Sequence, residues 1–285
     1  MIQPLQADEA FLADVKQAAQ DNHDFRLWWL GQSGFLIQWQ GSHLLLDPYL
    51  SDSLTKKYAA TDKPHVRMTA RVVAPERLDF IEVATSSHNH TDHLDAETLG
   101  PLRQANPDLV LVIPEANRAF VANRLGCNPA WPLGLDDGQL ATASCFTLTG
   151  IPAAHEQLEQ DEEGRHKYLG YIVRFGPWKL YHSGDTMWYD GLVERLRPWH
   201  VDVALLPING SAPERRVAGN LSGVEAATLA HEIGAQMVIP CHYDMFEFNT
   251  ASPKAFVAEA RLREQPYRVL QNGERWDSRM LAATG

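Results

Sequence analysis

The sequence predicts an α/β fold of the αββα type, a four-layer sandwich in which two β-sheets pack face to face and helices cover both outer faces. Short apolar strand segments are interspersed with helical segments, and both halves of the chain show this arrangement. The 285 residues, 45% of them hydrophobic, are enough for one large core without disulfides or a partner chain. Since no Gly/Ser-rich linker interrupts the chain, we expect residues 1–285 to form a single domain.

In the first half, short apolar or β-branched runs bounded by turn residues predict strands over residues 27–30, 35–39, 44–46, 79–85 and 109–113. Glycine-containing turns at residues 31–34 and 40–42 separate the first three strands. Helices are predicted over residues 7–20 and 115–125, and Gly126 is a suitable C-cap for the second.

In the second half, the same kind of run predicts strands over residues 169–175, 179–182, 201–206 and 236–239. Gly176 and Pro177 form the turn of a hairpin between the first two. A helix is predicted over residues 222–233, because Ser222 is a good N-cap and Glu225, three residues on, completes a capping box. Gly234 ends that helix.

The segment from residue 88 to residue 93 has the most informative composition in the chain, since it contains His88, His90, Asp92 and His93. It follows the strand predicted over residues 79–85, and strand ends are where α/β proteins place their chemistry. Side chains alternate in an extended segment, so His88 and His90 point the same way and can share one cation. Asp92 and His93 are adjacent in a part of the chain that turns, so their side chains can bind a second cation beside the first.

The donors in this segment also restrict the metal. Imidazole and carboxylate suit zinc, manganese or iron, whereas a structural zinc site built on thiolates would need cysteines. The segment therefore predicts one or two divalent metal ions.

This histidine motif is the signature of the metallo-β-lactamase superfamily, and the chain resembles that family over nearly its whole length. The remaining motifs occur in the family's order, each after an apolar run, and their central residues are Asp47, His155, Asp185 and His242.

The resemblance implies a role for each of these residues. It implies that the first metal is held by His88, His90 and His155, and the second by Asp92, His93 and His242, with Asp185 as the bridge. Asp47 would support the ligands from behind through hydrogen bonds, and His182 is a further candidate for that role. The implied chemistry is hydrolysis by metal-activated water, with Asp92 as the catalytic residue that orients the water.

A closer resemblance concerns the L-ascorbate-6-phosphate lactonase group, and the segments that carry it are residues 28–34, 181–185, 201–205 and 238–244. Characterised members of that group use manganese and work in the cytoplasm. This resemblance implies a small-molecule substrate, a lactone or related ester of a sugar acid that carries a phosphate in some cases, with manganese or zinc as the metal.

Two other classes of function compete with this interpretation. The Asp47-Pro48 strand end and the Ser87-His88-Asn89-His90 sequence are similar to those of the N-acyl-phosphatidylethanolamine phospholipase D group, a membrane-associated phosphodiesterase. The third class is a non-hydrolytic metal-binding relative. An oxygen-reducing member would need redox iron and usually a flavin partner domain, and we expect no segment of this sequence to supply the flavin domain.

A net charge of -11 disfavours a nucleic-acid substrate, because the protein surface repels a phosphate backbone. Two basic segments could still bind a substrate phosphate locally. The first contains Lys56, Lys57, Lys63, Arg67 and Arg71, and the second contains Arg215 and Arg216. Asn209 and Tyr243 are further candidate substrate contacts, because they flank the expected cleft.

The remaining sequence features predict an ordinary cytoplasmic protein. The three cysteines, Cys127, Cys145 and Cys241, are widely separated and indicate a reducing compartment. No secretory signal or membrane-spanning run is evident, and a homo-oligomer is compatible with the sequence. Six histidines lack motif support and are taken as ordinary, namely His23, His43, His65, His166, His200 and His231.

Overall fold

The computed structural model of the protein describes residues 1–281, in which thirteen strands form two sheets. In chain order the strands are β1 (Arg26–Gly31), β2 (Gly34–Trp39), β3 (Ser42–Leu46), β4 (Val83–Thr85), β5 (Val110–Pro114), β6 (Leu133–Leu135), β7 (Leu140–Ala143), β8 (Phe146–Pro152), β9 (Leu169–Phe175), β10 (Trp178–His182), β11 (Val203–Pro207), β12 (Met237–Cys241) and β13 (Arg275–Asp277). The first sheet has the order β13-β1-β2-β3-β4-β5-β6, and the second has the order β12-β11-β10-β9-β8-β7.

Seven α-helices connect or cover these strands within the described part of the chain. They are α1 (Asp8–Ala18), α2 (Ser53–Tyr58), α3 (Ala96–Ala105), α4 (Arg118–Leu125), α5 (Leu192–Leu196), α6 (Gly223–Glu232) and α7 (Lys254–Leu262). Short 3-10 turns occur at Pro75–Arg77, Glu115–Asn117, Arg197–Trp199, Pro213–Arg215 and Ser278–Met280. None of the helices in residues 1–281 has the length and apolar character needed to cross a bilayer.

Strand β1 illustrates how the layers are built. All of its residues are buried, and alternate side chains enter different cores, as the period of two in a strand requires. Trp29 packs in the core between the two sheets, whereas Trp28 faces the outer helix layer, where its ring meets Phe11 of α1 edge to face at 6.3 Å. Helices α3 and α4 join this outer layer, and α6 packs against the second sheet. The predicted αββα sandwich is confirmed.

The helix caps agree with the sequence. Ser222 and Glu225 form both hydrogen bonds of a capping box at the start of α6, and Gly126 ends α4 in the left-handed conformation. The strand expected over residues 79–85 is shorter than predicted, since only β4 is extended. The amide of Ile81 donates to the Asn106 side chain at 2.8 Å instead of to a strand neighbour, so the first residues of that run form a turn.

The strand directions place the loops that carry the predicted ligands at one edge of the sandwich. Strand β8 points the same way as β10, because both are antiparallel to β9. Strands β3 to β6 run parallel to one another, and so do β10 to β12. Loops that follow parallel strands emerge at the same edge, which is the usual position of active sites in α/β proteins. Every residue that the sequence predicts as a metal ligand lies in a loop directly after β4, β8, β10 or β12.

Candidate metal centre

The seven predicted ligands lie together at this edge, although they come from both sheets. Asp185 is the residue that joins them. Its Oδ1 is 3.2 Å from Nε2 of His93, and its Oδ2 is 3.3 Å from Nε2 of His242 and 3.8 Å from Nε2 of His155. A carboxylate that contacts members of both predicted ligand sets has the position that a bridging ligand requires.

The cluster contains groups of three residues whose potential ligand atoms lie within 4.8 Å of one another: His88 with His90 and His155, Asp92 with His93 and His242, and His88 with His93 and Asp185. In the second group, Oδ2 of Asp92 is 3.7 Å from Nε2 of His93 and 3.6 Å from Nε2 of His242. Ligands about 2.0–2.2 Å from a tetrahedral cation are spaced by roughly 3.4 Å, so this spacing suits a metal. The cluster is therefore able to bind metal.

Unpartnered polar atoms give an independent test of this fit. Nε2 of His88, Nε2 of His93 and Oδ1 of Asp185 are all buried, and none makes a well-directed hydrogen bond within residues 1–281, although the last two atoms approach each other to 3.2 Å. Leaving a buried polar atom unpaired costs about 1–3 kcal/mol, so three such atoms at one point indicate a missing partner. A divalent cation would satisfy all of them.

Asp47 is hydrogen-bonded to the far side of one predicted ligand, His93, and through Ser87 to that of a second, His88. It is fully buried, accepts the Nδ1–H of His93 at 2.7 Å and accepts the hydroxyl of Thr85 at 2.7 Å. The hydroxyl of Ser87 also donates to Asp47 and receives the Nδ1–H of His88 at 3.0 Å. Each imidazole therefore has Nδ1 engaged by the protein and Nε2 left for a cation, which is the arrangement expected of metal-binding histidines.

The other supporting contacts are of two kinds. Nδ1–H of His155 donates to the carbonyl oxygen of Gly219 at 2.9 Å, which again leaves Nε2 for the centre. His182 is fully buried, but its Nε2–H donates to the carbonyl oxygen of Ser33 at 2.9 Å rather than to any ligand. His182 therefore stabilises the turn between β1 and β2.

Unusual backbone conformations occur where the loops approach each other. Asp47 and His242 have positive φ angles of 38° and 61°, a region that non-glycine residues adopt infrequently, although Asp and His tolerate it better than most. Gly184 has φ of +58°, and a Cβ on it would lie 2.5 Å from Cβ of Ser87. Glycine at this position allows the loop after β10 to contact the loop after β4.

Burial and mutual contact shift the pKa values in the cluster in opposite directions. Burial opposes the charged form of Asp185, but the His242 and His93 imidazoles beside it hold the pKa of its carboxyl well below the usual range. Burial likewise lowers the pKa of His242, yet the neighbouring Asp185 carboxylate outweighs it and raises that pKa to about 9. In His88, burial and the neighbouring His93 lower the pKa well below its ordinary value. Neutral His88 is ready to bind a cation, whereas His242 must first lose a proton.

A cavity of about 460 Å³ opens over the cluster, and His90, Asp92, His155, Asp185 and His242 all line it. This volume lies within the range of small-molecule sites.

Four of the predicted substrate contacts do not line the cavity, and each prediction is corrected. Arg67 is buried and donates to the carbonyl oxygens of Thr69 and Ser51, so it stabilises a loop. Tyr243 is buried, with its hydroxyl donating to the carbonyl oxygen of Leu270.

Asn209 is also buried, and its side-chain amide donates to Asn249 at 3.0 Å. Arg215 is likewise outside the cavity lining, because its guanidinium donates to the carbonyl oxygens of Asn209 and Thr250.

Two predicted basic residues do line the cavity, namely Lys57 from the first basic segment and Arg216 from the second. Arg216 forms an exposed ion pair with Asp62 at 2.8 Å. His65, taken as ordinary from the sequence, lines the cavity as well and stacks on Tyr58 with ring centroids 4.1 Å apart.

Other residues at the site have no role predicted from the sequence. Arg124 and Tyr168 line the cavity, and Gln32 contacts Asp92. Gln32 lies in the predicted turn and in the segment 28–34 that carries the closer resemblance, but no site role was predicted for it. Its position directly after the buried strand β1 is the signal that could have indicated a site residue.

Comparison with known proteins agrees with this geometry. A protein of Opitutus terrae named as a UPF0173 metal-dependent hydrolase is 29% identical over 255 residues, which cover 87% of this chain and 98% of that protein. Among solved structures, a possible metal-dependent hydrolase from Veillonella parvula has a TM-score of 0.70 at 14% identity, covering 88% of this chain and 98% of that one. The isothiocyanate hydrolase from Delia radicum gut bacteria has a TM-score of 0.67 at 18% identity, with the same two coverages.

A family model described as a β-lactamase superfamily domain matches residues 26–242. The match covers most of the chain and includes every residue of the metal cluster. The chain therefore belongs to the metallo-β-lactamase superfamily.

Proposed function

We propose that this protein is a two-metal hydrolase that opens a lactone, or a related ester, of a sugar acid that carries an anionic group such as a phosphate. The observation that carries the proposal is the pair of three-residue ligand groups, joined through Asp185 at the floor of a 460 Å³ cavity. The names of the sequence relatives support metal-dependent hydrolysis as the reaction class.

Manganese or zinc ions bound here would polarise the substrate carbonyl and lower the pKa of a water molecule toward about 7. The residues of the chain supply the remaining functions. The Asp92 carboxylate lines the cavity and contacts His93 and His242, so it is placed to orient the attacking water as well as to bind metal. Asp185 would hold the two cations close enough to share that water.

An apolar wall of the cavity supports a ring-shaped substrate. Tyr58, His65, Phe246 and Phe248 line one side, and the ring of His65 lies 4.4 Å from Phe248 and 5.4 Å from Phe246. Nδ1–H of His65 donates to the Lys63 carbonyl oxygen at 3.2 Å, which holds the ring in place. A cyclic ester could pack on this wall while its carbonyl faces the metal centre.

The cationic residues support an anionic group on the substrate. Lys57, Arg124 and Arg216 all line the cavity. The Arg216–Asp62 pair is exposed on both sides, and solvent screening weakens such pairs, so a substrate anion could displace Asp62.

The first test is metal content followed by turnover. We expect about two equivalents of manganese or zinc per chain, and hydrolysis of a phosphorylated sugar lactone that exceeds hydrolysis of a bis-aryl phosphodiester. Replacing His88 or Asp185 by alanine should abolish turnover while circular dichroism remains that of a folded protein. Preferential activity on the diester would exclude the lactonase proposal and favour the phosphodiesterase alternative.

Two neighbouring lysines provide a matched test of anion recognition. Lys57 lines the cavity, whereas Lys56 pairs with Glu97 at 2.7 Å and does not line it. Lys57→Ala should raise KM for a phosphorylated lactone by about tenfold, because a contact to a charged group contributes about 1.5–3 kcal/mol before solvent screening. Lys56→Ala should leave KM unchanged, and neither variant should affect a neutral lactone. Equal effects of the two substitutions would contradict the proposed contact.

A further inference from the structure

The turn between β1 and β2 brings one glutamine into the metal cluster. Gln32 is fully buried and has φ of +49°, so its backbone lies in the left-handed region that favours glycine. The positive φ belongs to the tight turn between β1 and β2, and this turn directs the Gln32 side chain into the cluster.

The side chain of Gln32 joins two ligands from different sheets. Its Nε2 donates to Oδ2 of Asp92 at 2.7 Å and lies 3.0 Å from Nε2 of His242. Asp92 follows β4 of the first sheet, and His242 follows β12 of the second. One carboxamide therefore contacts two of the three residues in the second ligand group.

The backbone of Gln32 provides a separate attachment to the same group. Its carbonyl oxygen accepts the amide N–H of His242 at 2.9 Å and the indole N–H of Trp29 at 2.9 Å. The next residue, Ser33, accepts the Nε2–H of His182 at 2.9 Å. The turn is thus fixed on both sides of Gln32, and its side chain has little freedom to move away.

We propose that Gln32 is a positioning residue for the second metal, the one assigned to Asp92, His93 and His242. Its amide holds the Asp92 carboxylate in the orientation that lets Asp92 and His242 bind the same cation. This inference rests on the proposed two-metal function. An aspartate carboxylate rotates readily about its terminal bond, and a fixed donor on Oδ2 restricts that rotation. Removing the donor should therefore weaken the second metal more than the first, because His88, His90 and His155 have no hydrogen bond to Gln32.

The test uses Gln32→Met, which keeps the approximate size of the side chain and removes its hydrogen bonds. Gln38→Met is the matched control, because Gln38 is also buried and its Nε2 also contacts a histidine, His43, at 2.9 Å, but outside the cluster. Stepwise Mn²⁺ and Zn²⁺ affinities are measured by titration calorimetry on the metal-stripped full chain. We expect Gln32→Met to weaken one of the two binding steps, the one at the Asp92, His93 and His242 group, by about 10–100-fold, as for other residues that orient metal ligands, and to leave the other step within about twofold.

Several outcomes would overturn the inference. They are two unchanged binding steps, an equal loss in both steps, and a crystal structure of the loaded protein in which Oε1 of Gln32 itself binds the cation. If Gln32→Met does not fold, Gln32→Asn replaces it, since a side chain one carbon shorter keeps its polarity but cannot span to Asp92. A wild-type protein that binds no metal would instead refute the proposed function, which keeps the two failures distinguishable.

Discussion

Replacing Asp47 by asparagine should weaken metal binding without removing any predicted ligand. The carboxylate of Asp47 accepts hydrogen bonds from Thr85, from the amide and hydroxyl of Ser87, and from Nδ1–H of His93. Asparagine has one acceptor oxygen instead of two. If that oxygen keeps the bond to Thr85, the new NH₂ group faces two donors, the Ser87 hydroxyl and the His93 imidazole.

The magnitude follows from these contacts. A hydrogen bond to a charged group contributes about 1.5–3 kcal/mol, and breaking a buried ion pair costs about 3–5 kcal/mol. Part of this cost lowers the stability of the fold, and the part that releases His93 lowers metal affinity. Residues that orient metal ligands typically affect affinity by about 10–100-fold, which corresponds to about 1.4–2.8 kcal/mol.

The assay is competition with a chelator for Zn²⁺ or Mn²⁺, combined with thermal melting of the metal-free protein. Asp277→Asn is the control, because Asp277 is also buried but pairs with Arg26 and Arg275 on β1 and β13, away from the cluster. We expect the control to lower the melting temperature and leave metal affinity unchanged. Wild-type affinity in Asp47→Asn would refute the argument that Asp47 fixes His93.

Four further predictions concern protons, backbone and packing. Because the pKa of His242 is raised to about 9, metal affinity should increase with pH up to about 9, with proton release visible by calorimetry in buffers of different ionisation enthalpy. The same raised pKa should stabilise the metal-free fold fully below about pH 6.5, and this contribution should fade as pH rises through about 9. Gly184→Ala should lower the melting temperature by about 2–10 °C, since its Cβ would collide with Ser87, whereas Gly126→Ala, which has a similar φ and open space, should cost less. Arg67→Met should lower the melting temperature and leave KM unchanged, because Arg67 stabilises a loop outside the cavity lining.

Each of these predictions has a result that contradicts it. A metal affinity that does not change between about pH 6 and pH 9 would exclude protonation of His242, because this interval roughly spans its ordinary and its raised pKa. Equal destabilisation by Gly184→Ala and Gly126→Ala would mean that φ alone, and not contact with Ser87, determines the cost. A raised KM in Arg67→Met at unchanged stability would restore Arg67 as a substrate contact.

The metal ligands could be predicted from the sequence because each belongs to a local pattern of residues. His88, His155, Asp185 and His242 each follow directly after a buried strand, so the order of strands in the chain determines where they meet. The αββα layers are likewise determined by short apolar runs. Helix α3 was not predicted, because it contains Gly100 and Pro101, which oppose helix formation.

The cavity walls depend on tertiary contacts that no local pattern encodes. His65 and Phe248 meet because two loops, far apart in the chain, fold against each other. Arg67 was a reasonable candidate by charge, but the carbonyl oxygens of Ser51 and Thr69 bind its guanidinium instead. Charge in a loop indicates that a basic group is present, and its burial and hydrogen bonds determine whether it reaches a substrate.

The pairing of β13 with β1 has a consequence for how the protein folds. Arg26 and Asp277 are register partners separated by 251 positions, so this edge of the first sheet forms only after most of the polypeptide has been synthesised. Such distant pairings slow folding, because the entropy of closing a long loop must be lost before the contact forms. During synthesis, the edge of β1 that later pairs with β13 therefore keeps its backbone groups unpaired. A chaperone that shields this edge should increase the yield of native protein.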